Sequence, residues 1–239
     1  MKKEIYIIRH GETMWNVLKK IQGQEADTEL NENGKKQSTI TGRYLKKYRY
    51  KSGSEFDCML VSPMIRAKQT AEIISEKIKF DKSKIIYMNE LKEIKKGKIS
   101  GLLPNDNYLV KLNNFKKKYL DKFKDPIELL EMKNYNNMID KILLKKFDTS
   151  LGMDKSIVIE KKTKKVIDFI KNCNCKKIII VTHFDTIEFL LKNMCNLSFF
   201  PEGDLTYGKN CMISYIKYDG NNFNLVTCPN TLHLGIKDL

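Results

Sequence analysis

Arginine is scarce in this sequence, although the sequence is strongly basic. The chain has 239 residues and 44 lysine and arginine side chains, but its arginines are limited to Arg9, Arg43, Arg49 and Arg66. Histidine is scarce as well, with three residues, and there is one tryptophan. Because lysine supplies the positive charge almost everywhere, each remaining arginine is a candidate for a position that needs the planar guanidinium fork.

Long apolar segments are also missing. The longest runs, such as Ile178–Val181, have the length of a strand, whereas a membrane-spanning helix needs about 18 or more apolar residues. Near the N-terminus the apolar run Ile5–Ile8 is shorter than the core of a signal peptide. We therefore expect a soluble, cytoplasmic protein that has no membrane partner.

The cysteines do not form any C-x-x-C motif, and Cys173 and Cys175 are separated by a single residue. This spacing fits neither a zinc finger nor a thioredoxin-type motif. A chain of this length buries enough surface to fold without disulfide or metal cross-links. Reduced thiols and the absence of a metal site are therefore expected.

The formal net charge of +15 indicates an anionic partner, either nucleic acid or a small phosphorylated molecule. The basic residues are spread along the whole chain rather than gathered in one cluster. The densest stretch, 115–124, has apolar residues at helical spacing, which favours a solvated helix face over an RNA- or lipid-binding patch. A small phosphorylated metabolite is the expected partner, and nucleic acid is the less favoured one.

Strand and helix patterns alternate along the chain. Strands are predicted at 5–8, 58–61, 85–88, 177–181, 212–218 and 223–227, and helices at 31–48, 62–78, 108–124, 127–147, 156–172 and 186–194. At the start of the second helix, Ser62 is the expected cap and Pro63 a first-turn residue. The alternation predicts an α/β fold: a three-layer sandwich with a mostly parallel central sheet and helices on both faces. We expect a single domain, 1–239, with 102–155 as a helical excursion from the sheet.

Two of the three histidines lie at the ends of predicted strands. His10 follows the first strand and His183 follows the fourth, while Arg9 adjoins His10 and Arg66 lies in the helix after the second strand. Ligands of such sheets bind beyond the carboxyl ends of the strands. Guanidinium forks match phosphate oxygens in a bidentate manner that lysine cannot copy. These side chains therefore predict a site for a tetrahedral phosphate dianion.

Several motifs resemble those of the histidine phosphatase superfamily, also called phosphoglycerate mutase-like proteins. They are Arg9–Asn16 (RHGETMWN), Gln22–Gln37 with its QGQ and GKKQ segments, Ser62–Ala71 (SPMIRAKQTA), Leu91–Glu93 (LKE) and Ile178–His183 (IIIVTH). A lone R-H-G would be weak evidence, but motifs in the family's order, each at a predicted strand or helix boundary, are specific. The resemblance covers most of the chain except 102–155 and implies a phosphoglycerate mutase-like version of the predicted fold.

The resemblance implies catalytic roles for the side chains at the predicted phosphate site. It makes His10 the nucleophile that forms a phosphohistidine. It makes Glu93 the general acid that protonates the leaving group and then acts as a base toward water. Arg9, Arg66 and His183 would hold the phosphoryl oxygens and neutralise charge, so neither a metal nor another cofactor is implied.

The resemblance also indicates substrate-binding residues. Asn16 matches a family position that donates a hydrogen bond to the phosphate, and Gln22 and Gly23 lie in a segment similar to that of fructose-bisphosphatase-like members. After the second histidine many members have Gly-Gly or Gly-Asn, where this chain has Phe184 and Asp185. A backbone amide can still serve at Phe184, whereas Asp185 would put a negative charge near the leaving group.

The family divides into mutases and phosphatases. A long interval between the general acid and the second histidine is typical of mutases. However, Ile94–Gly97 stands where similar mutases have Arg-His-Tyr, and 102–155 contains no arginine that could grip a substrate carboxylate. The tail Asn230–Leu234 (NTLHL) resembles that of phosphatase members, which leaves His233 either near the site or on the surface. These features favour the phosphatase branch.

We therefore expect a metal-independent phosphatase that hydrolyses small phosphorylated metabolites through a phosphohistidine on His10. One alternative is a cofactor-dependent phosphoglycerate mutase, which would need a bisphosphoglycerate primer. A second alternative is a non-catalytic module that binds a phosphoprotein or RNA. The excursion at 102–155 is expected to cover the active site, and a homodimer is left open.

Overall fold

The computed structural model describes residues 1–52, 55–103, 105–106, 152–154, 156–196 and 208–235. The helices predicted at 108–124 and 127–147 lie outside the described residues. The chain divides into two compact units, which are Met1–Met14 with Asp27–Glu93 and Lys162–Leu239, and Trp15–Ala26 with Ile94–Lys161. The single domain with an excursion at 102–155 stays a prediction.

The described part of the first unit contains a six-stranded sheet in the order β3-β2-β4-β1-β5-β6. The strands are β1 (Lys3–Arg9), β2 (Cys58–Val61), β3 (Ile85–Tyr87), β4 (Lys177–Thr182), β5 (Ile213–Tyr218) and β6 (Phe223–Asn230). Strands β1 to β4 run parallel to one another, and β5 and β6 are antiparallel to their neighbours. The prediction of a mostly parallel sheet is confirmed.

Five α-helices accompany these strands among the described residues. They are α1 (Met14–Val17), α2 (Glu32–Ser52), α3 (Ile65–Ile78), α4 (Ser156–Asn172) and α5 (Phe184–Cys195). Short 3₁₀ helices cover Lys82–Lys84, Asn89–Leu91, Gly97–Ile99 and Leu232–Gly235. Helix α4 has the predicted bounds, whereas α5 begins two residues earlier than predicted, directly after His183.

Alternating side chains of the strands bury two separate apolar layers. In β1, Ile5 and Ile7 join a cluster with residues of α4 and α5, such as Val166 and Leu190. Their neighbours Tyr6 and Ile8 join a cluster with residues of α2 and α3 on the opposite face. Successive strand side chains point to opposite faces, so the sheet lies between two helical layers. The predicted three-layer α/β sandwich is confirmed.

The start of α3 differs from the prediction. The helix begins at Ile65, and its N-cap is Met64, whose side chain makes no capping hydrogen bond to the described residues. The prediction that Ser62 caps this helix is therefore wrong. The Ser62 hydroxyl accepts the N–H of Met64, the residue before the helix, at 3.4 Å, and it also lies 2.7 Å from Nε2 of His183, which follows β4.

The second unit is held by contacts within its own segments. Ile21 N–H donates to the Leu102 carbonyl at 3.0 Å, and Gly101 N–H donates to the Ile21 carbonyl at 2.8 Å. Gly101 has a left-handed φ of 85°, and a Cβ added there would lie 3.3 Å from the ring of Trp15. Glu25 accepts hydrogen bonds from the backbone of residues 96 and 97. These contacts give the segment around Gln22 a defined backbone.

Candidate active site

His10 lies at the carboxyl end of β1, beside the end of β4. Its side chain is buried, with 2% exposure, and its backbone N–H donates to the Thr182 carbonyl at 3.0 Å. The ring nitrogen Nδ1 lies 2.8 Å from the carbonyl oxygen of Gly11. Because a carbonyl oxygen only accepts, neutral His10 carries its proton on Nδ1. Nε2 therefore keeps its lone pair, as a nucleophile requires.

His183 holds the opposite tautomer. It precedes α5 as the N-cap residue, and Arg66 Nε donates to its Nδ1 at 3.2 Å. Since an arginine nitrogen only donates, Nδ1 of His183 accepts and the proton lies on Nε2, which donates to Ser62 Oγ. The centroids of the His10 and His183 rings are 5.2 Å apart. The two predicted histidines therefore meet at one end of the sheet.

Burial is the main cause that lowers the pKa of His10 and of His183 well below the ordinary value. The positive charges of Arg66 and Arg9 lower both pKa values further. The hydrogen bond to the Gly11 carbonyl acts in the opposite direction on His10 but is a smaller effect. Both imidazoles are therefore neutral near pH 7, which is the nucleophilic form of histidine.

The two predicted arginines are held differently. Arg66 is completely buried in the first turn of α3, and burial lowers its pKa to about 10, against the attraction of Glu93 and Asp27. Arg9 Nη1 donates to the carbonyl of Gly208, and its guanidinium lies 5.5 Å from the centroid of the Phe184 ring. Its Nε is buried and has no hydrogen-bond partner among the described residues.

Glu93, the predicted general acid, is buried at the end of the segment that follows β3. Its Oε1 lies 3.4 Å from the hydroxyl of Thr186, which is also 3.0 Å from the carbonyl of Lys92. Its charge acts on both Arg9 and Arg66, because it raises the pKa of each guanidinium. The structure thus brings the five predicted catalytic residues together in the first unit.

The predicted substrate-binding residues fall in both units. Phe184 and Asp185 open α5, and the carboxylate of Asp185 raises the pKa of Arg9. Asn16, in α1, and Gln22 and Gly23 belong to the second unit, where an added Cβ at Gly23 would lie 2.8 Å from the backbone of residue 96. The roles of all these residues in substrate binding stay predictions.

Sequence reasoning missed side chains that contact the backbone of His10. Asn210 Nδ2 donates to the carbonyls of His10 at 3.1 Å and of Gly11 at 3.3 Å. The backbone N–H of Cys211 donates to the His10 carbonyl at 3.2 Å. Thr186 beside Glu93 was missed as well. Their sequence context carries no motif of its own, because asparagine and threonine are common at loop and helix starts.

His233 is buried rather than on the surface, with 3% exposure. Its Nε2 lies 2.9 Å from Thr41 Oγ1, and its ring lies 5.1 Å from that of Tyr44. The histidine of the phosphatase-like tail is therefore buried against α2.

Metal sites, cysteine pairing and membrane-spanning helices were further subjects of the sequence predictions. Within the described ranges, no group of three or more His, Cys, Asp or Glu side chains is arranged to hold a metal ion. All six cysteines are described and are free thiols. None of the described helices combines the length and the hydropathy that crossing a membrane requires.

Comparison with known proteins places these residues in a family. The model of the histidine phosphatase superfamily (branch 1) matches residues 5–126. The "uncharacterized phosphatase PhoE" of Bacillus subtilis is 38% identical over 98 residues, which are 41% of this chain and 46% of that protein. Fructose-2,6-bisphosphatase TIGAR of Xenopus tropicalis is 44% identical over 96 residues, which are 40% of this chain and 33% of that protein. The matches thus span less than half of the length of either relative.

Solved structures extend the likeness to nearly the whole chain. A phosphoglycerate mutase from Bacillus anthracis superposes with a TM-score of 0.72 at 20% identity, over 98% of this chain and 95% of the other. A phosphoserine phosphatase from Entamoeba histolytica superposes with a TM-score of 0.63 at 25% identity, over 97% and 99% of the two chains. The first of these shows a shared fold alone. Together with the matched family model, the sequence motifs and the site geometry, these results show that the chain belongs to the histidine phosphatase superfamily, branch 1.

Proposed function

We propose that this protein is a metal-independent phosphatase that hydrolyses small phosphorylated metabolites through a phosphohistidine on His10. The observation that carries the proposal is the state of His10, which is buried and neutral, with its proton on Nδ1 and a lone pair on Nε2. Two guanidinium groups and a second neutral histidine surround it. A nucleophile with this tautomer and these cations suits attack on a phosphoryl group.

Arg9 Nε, which has no hydrogen-bond partner among the described residues, supports phosphate as the ligand. A buried N–H without an acceptor costs free energy of about 1–3 kcal/mol, and Arg9 Nε is such a group among the described residues. A phosphoryl oxygen is the acceptor that guanidinium nitrogens fit best. A bound phosphate dianion would also offset the positive charges of half-buried Arg9 and buried Arg66.

The proposed reaction has two steps that use the same side chains. In the first, His10 Nε2 attacks phosphorus, the P–O bond to the leaving group breaks, and Glu93 donates a proton to the departing alkoxide. In the second, Glu93 as a carboxylate takes a proton from water, whose oxygen attacks phosphorus while the P–N bond breaks. His10 returns to its neutral state, and inorganic phosphate leaves. Arg9 and Arg66 stabilise the charge of the transferring group in both steps.

Two of the similar proteins, PhoE and TIGAR, are named as phosphatases, which supports hydrolysis over return of the phosphoryl group. The structural likeness to a mutase rests on 20% identity and therefore supports the fold rather than the activity. The absence of arginine from 102–155 supports the same choice, because that segment then offers no guanidinium for a substrate carboxylate.

The test is phosphate release from a panel of phosphoglycerates, sugar bisphosphates and an aryl phosphate, with and without a metal chelator. We expect release from some members of the panel regardless of chelator, and an alkali-stable, acid-labile phosphoryl adduct on His10 after rapid quenching. His10→Ala should lower the rate by about 10³-fold or more, as for loss of a nucleophile in other enzymes.

His233→Gln is the matched control, because it removes a buried imidazole outside the phosphate site, and it should retain most of the activity. Wild-type protein that releases no phosphate from the panel and never acquires the adduct would contradict the proposal. Rapid exchange between 2- and 3-phosphoglycerate with little phosphate release would instead identify a mutase.

A further inference from the structure

The buried carboxamide of Asn210 holds the main chain of the proposed nucleophile, His10. Asn210 is 8% exposed, and its Nδ2 lies 3.1 Å from the His10 carbonyl oxygen and 3.3 Å from that of Gly11. An amide nitrogen carries two hydrogens. One side chain can therefore donate to two successive carbonyls and fix the peptide between them.

The Gly11 carbonyl is also the acceptor that decides the tautomer of His10. It receives the Nδ1–H of the ring at 2.8 Å, and its second lone pair is available to Asn210 Nδ2. If this oxygen moved, Nδ1–H would lose its acceptor in a buried site. The ring would then populate the Nε2–H tautomer, which has no lone pair on Nε2.

The backbone around Asn210 is shaped for this contact. Cys211 adopts a left-handed conformation, with φ of 57°, which is uncommon for a residue with a side chain. This turn directs the Cys211 N–H to the His10 carbonyl at 3.2 Å, and the Met212 carbonyl then accepts the N–H of Arg9 at 3.1 Å. The segment 210–212 therefore follows the backbone of Arg9–Gly11 closely.

The peptide between His10 and Gly11 is also packed on the side that faces away from Asn210. Gly11 N–H donates to Thr70 Oγ1 at 2.9 Å, and a Cβ at Gly11 would lie 2.5 Å from the carbonyl oxygen of Gly34. The peptide is thus confined by α2 and α3 on one side and by Asn210 on the other. Loss of the Asn210 carboxamide would therefore remove the hydrogen bonds to the His10 and Gly11 carbonyls and leave the contacts with α2 and α3 in place.

We propose that Asn210 is a positioning residue for the nucleophile, whose carboxamide holds the His10 and Gly11 carbonyls so that His10 keeps its proton on Nδ1 and presents Nε2. The inference rests on the proposed role of His10 as the nucleophile. It assigns to Asn210 no contact with the substrate. Its effect on catalysis passes entirely through the ring of His10.

The test compares Asn210→Ala with Asn193→Ala. Asn193 serves as the control, because its Nδ2 also donates a part-buried hydrogen bond, to Thr163 Oγ1 at 2.6 Å, from an exposed position on α5 far from His10 in the sequence. The first measurement is the ¹⁵N chemical shifts of the imidazole nitrogens in the ligand-free protein, where three histidines make assignment simple. We expect the Nδ1–H tautomer of His10 in wild type and in Asn193→Ala, and a mixture of tautomers in Asn210→Ala.

The second measurement is steady-state kinetics on the best substrate of the panel. Misplacement of a reacting group by about 1 Å can cost about 100-fold in rate. We therefore expect kcat of Asn210→Ala to fall about 10- to 100-fold with KM changed less than about threefold. Asn193→Ala should match wild type in both constants. If Asn210→Ala does not fold, Asn210→Ser, which keeps one donor, is measured in the same way and should show a smaller tautomer shift.

An unchanged Nδ1–H tautomer in the folded variant would overturn the proposal, whether or not kcat falls, because the effect would then not pass through the ring. An equal shift in the Asn193 control would overturn it too. The NMR result needs no turnover. If the wild type releases no phosphate, the proposed function fails, while the tautomer measurement still decides what Asn210 does.

Discussion

His233 is the side chain whose burial makes the clearest prediction for stability. Thr41 Oγ1 donates its one proton to the Gln37 carbonyl at 2.9 Å, so it accepts from His233 Nε2–H. Burial lowers the pKa of His233 to about 4. His233→Gln keeps a nitrogen donor for Thr41 and removes the titrating group.

The sign and size of the effect follow from proton linkage. Unfolded histidine has a pKa of about 6.5, so the native state binds fewer protons than the unfolded state between pH 6.5 and 4. The stabilisation by neutral His233 is therefore full above pH 6.5 and is lost as pH falls toward 4. With a folded pKa of about 4, the loss between pH 7.5 and 5 is roughly 2 kcal/mol.

The assay is denaturant unfolding of wild type and His233→Gln at pH 7.5 and at pH 5. His10 and His183 have lowered pKa values as well, so both proteins should lose stability in acid. We expect the variant to lose roughly 2 kcal/mol less than wild type. A difference below about 0.5 kcal/mol, or an NMR titration of folded His233 near pH 6.5, would refute the burial argument.

The site makes two further predictions that steady-state kinetics can check. Arg66→Lys removes the guanidinium that donates to His183 Nδ1, so kcat/KM should fall about 10²- to 10³-fold. Arg43→Lys, on the exposed side of α2, should change it less than twofold, and equal effects in the two variants would argue against a special role. Thr186→Val removes the hydroxyl beside Glu93 and should slow alkyl phosphates more than an aryl phosphate, whose leaving group needs little acid catalysis. Thr186→Ser should restore the rate, and an equal loss on both substrates would contradict a role through Glu93.

The parts of the fold that follow from local periodicity were predictable from the sequence. The apolar run of β2 and the amphipathic pattern of α4 gave the observed bounds, at Cys58–Val61 and Ser156–Asn172. The start of α3 was not predictable in this way. Ser-Pro is typical of a helix start, but the Ser62 hydroxyl pairs with His183, which lies far away in the sequence. A long-range contact therefore overrides the local pattern.

The residues of the candidate site also fall into those that a local motif predicts and those that only long-range contacts show. His10, Arg66 and Glu93 stand in motifs whose residue types and positions at strand or helix ends were sufficient to predict them as site residues. Asn210 and Thr186 act through hydrogen bonds to segments about 200 and about 90 residues away. Asparagine is abundant in this chain, so its type and neighbours do not distinguish residue 210. Only the packing of β5 beside β1 shows which asparagine reaches the nucleophile.

The scarcity of arginine acquires a physical reason from the half-buried position of Arg9 and the fully buried position of Arg66. A lysine in such a place readily loses its charge, because burial disfavours the ammonium ion and its pKa moves freely. Burial also lowers the pKa of Arg66, but to about 10, so the guanidinium stays charged at pH 7. Burial is the main cause that keeps His10 and His183 neutral, and the arginine charges add to it. Under the proposed function a permanent cation would serve twice here, since it would attract the phosphate and help to keep His10 unprotonated, which a lysine in the same place would not do reliably.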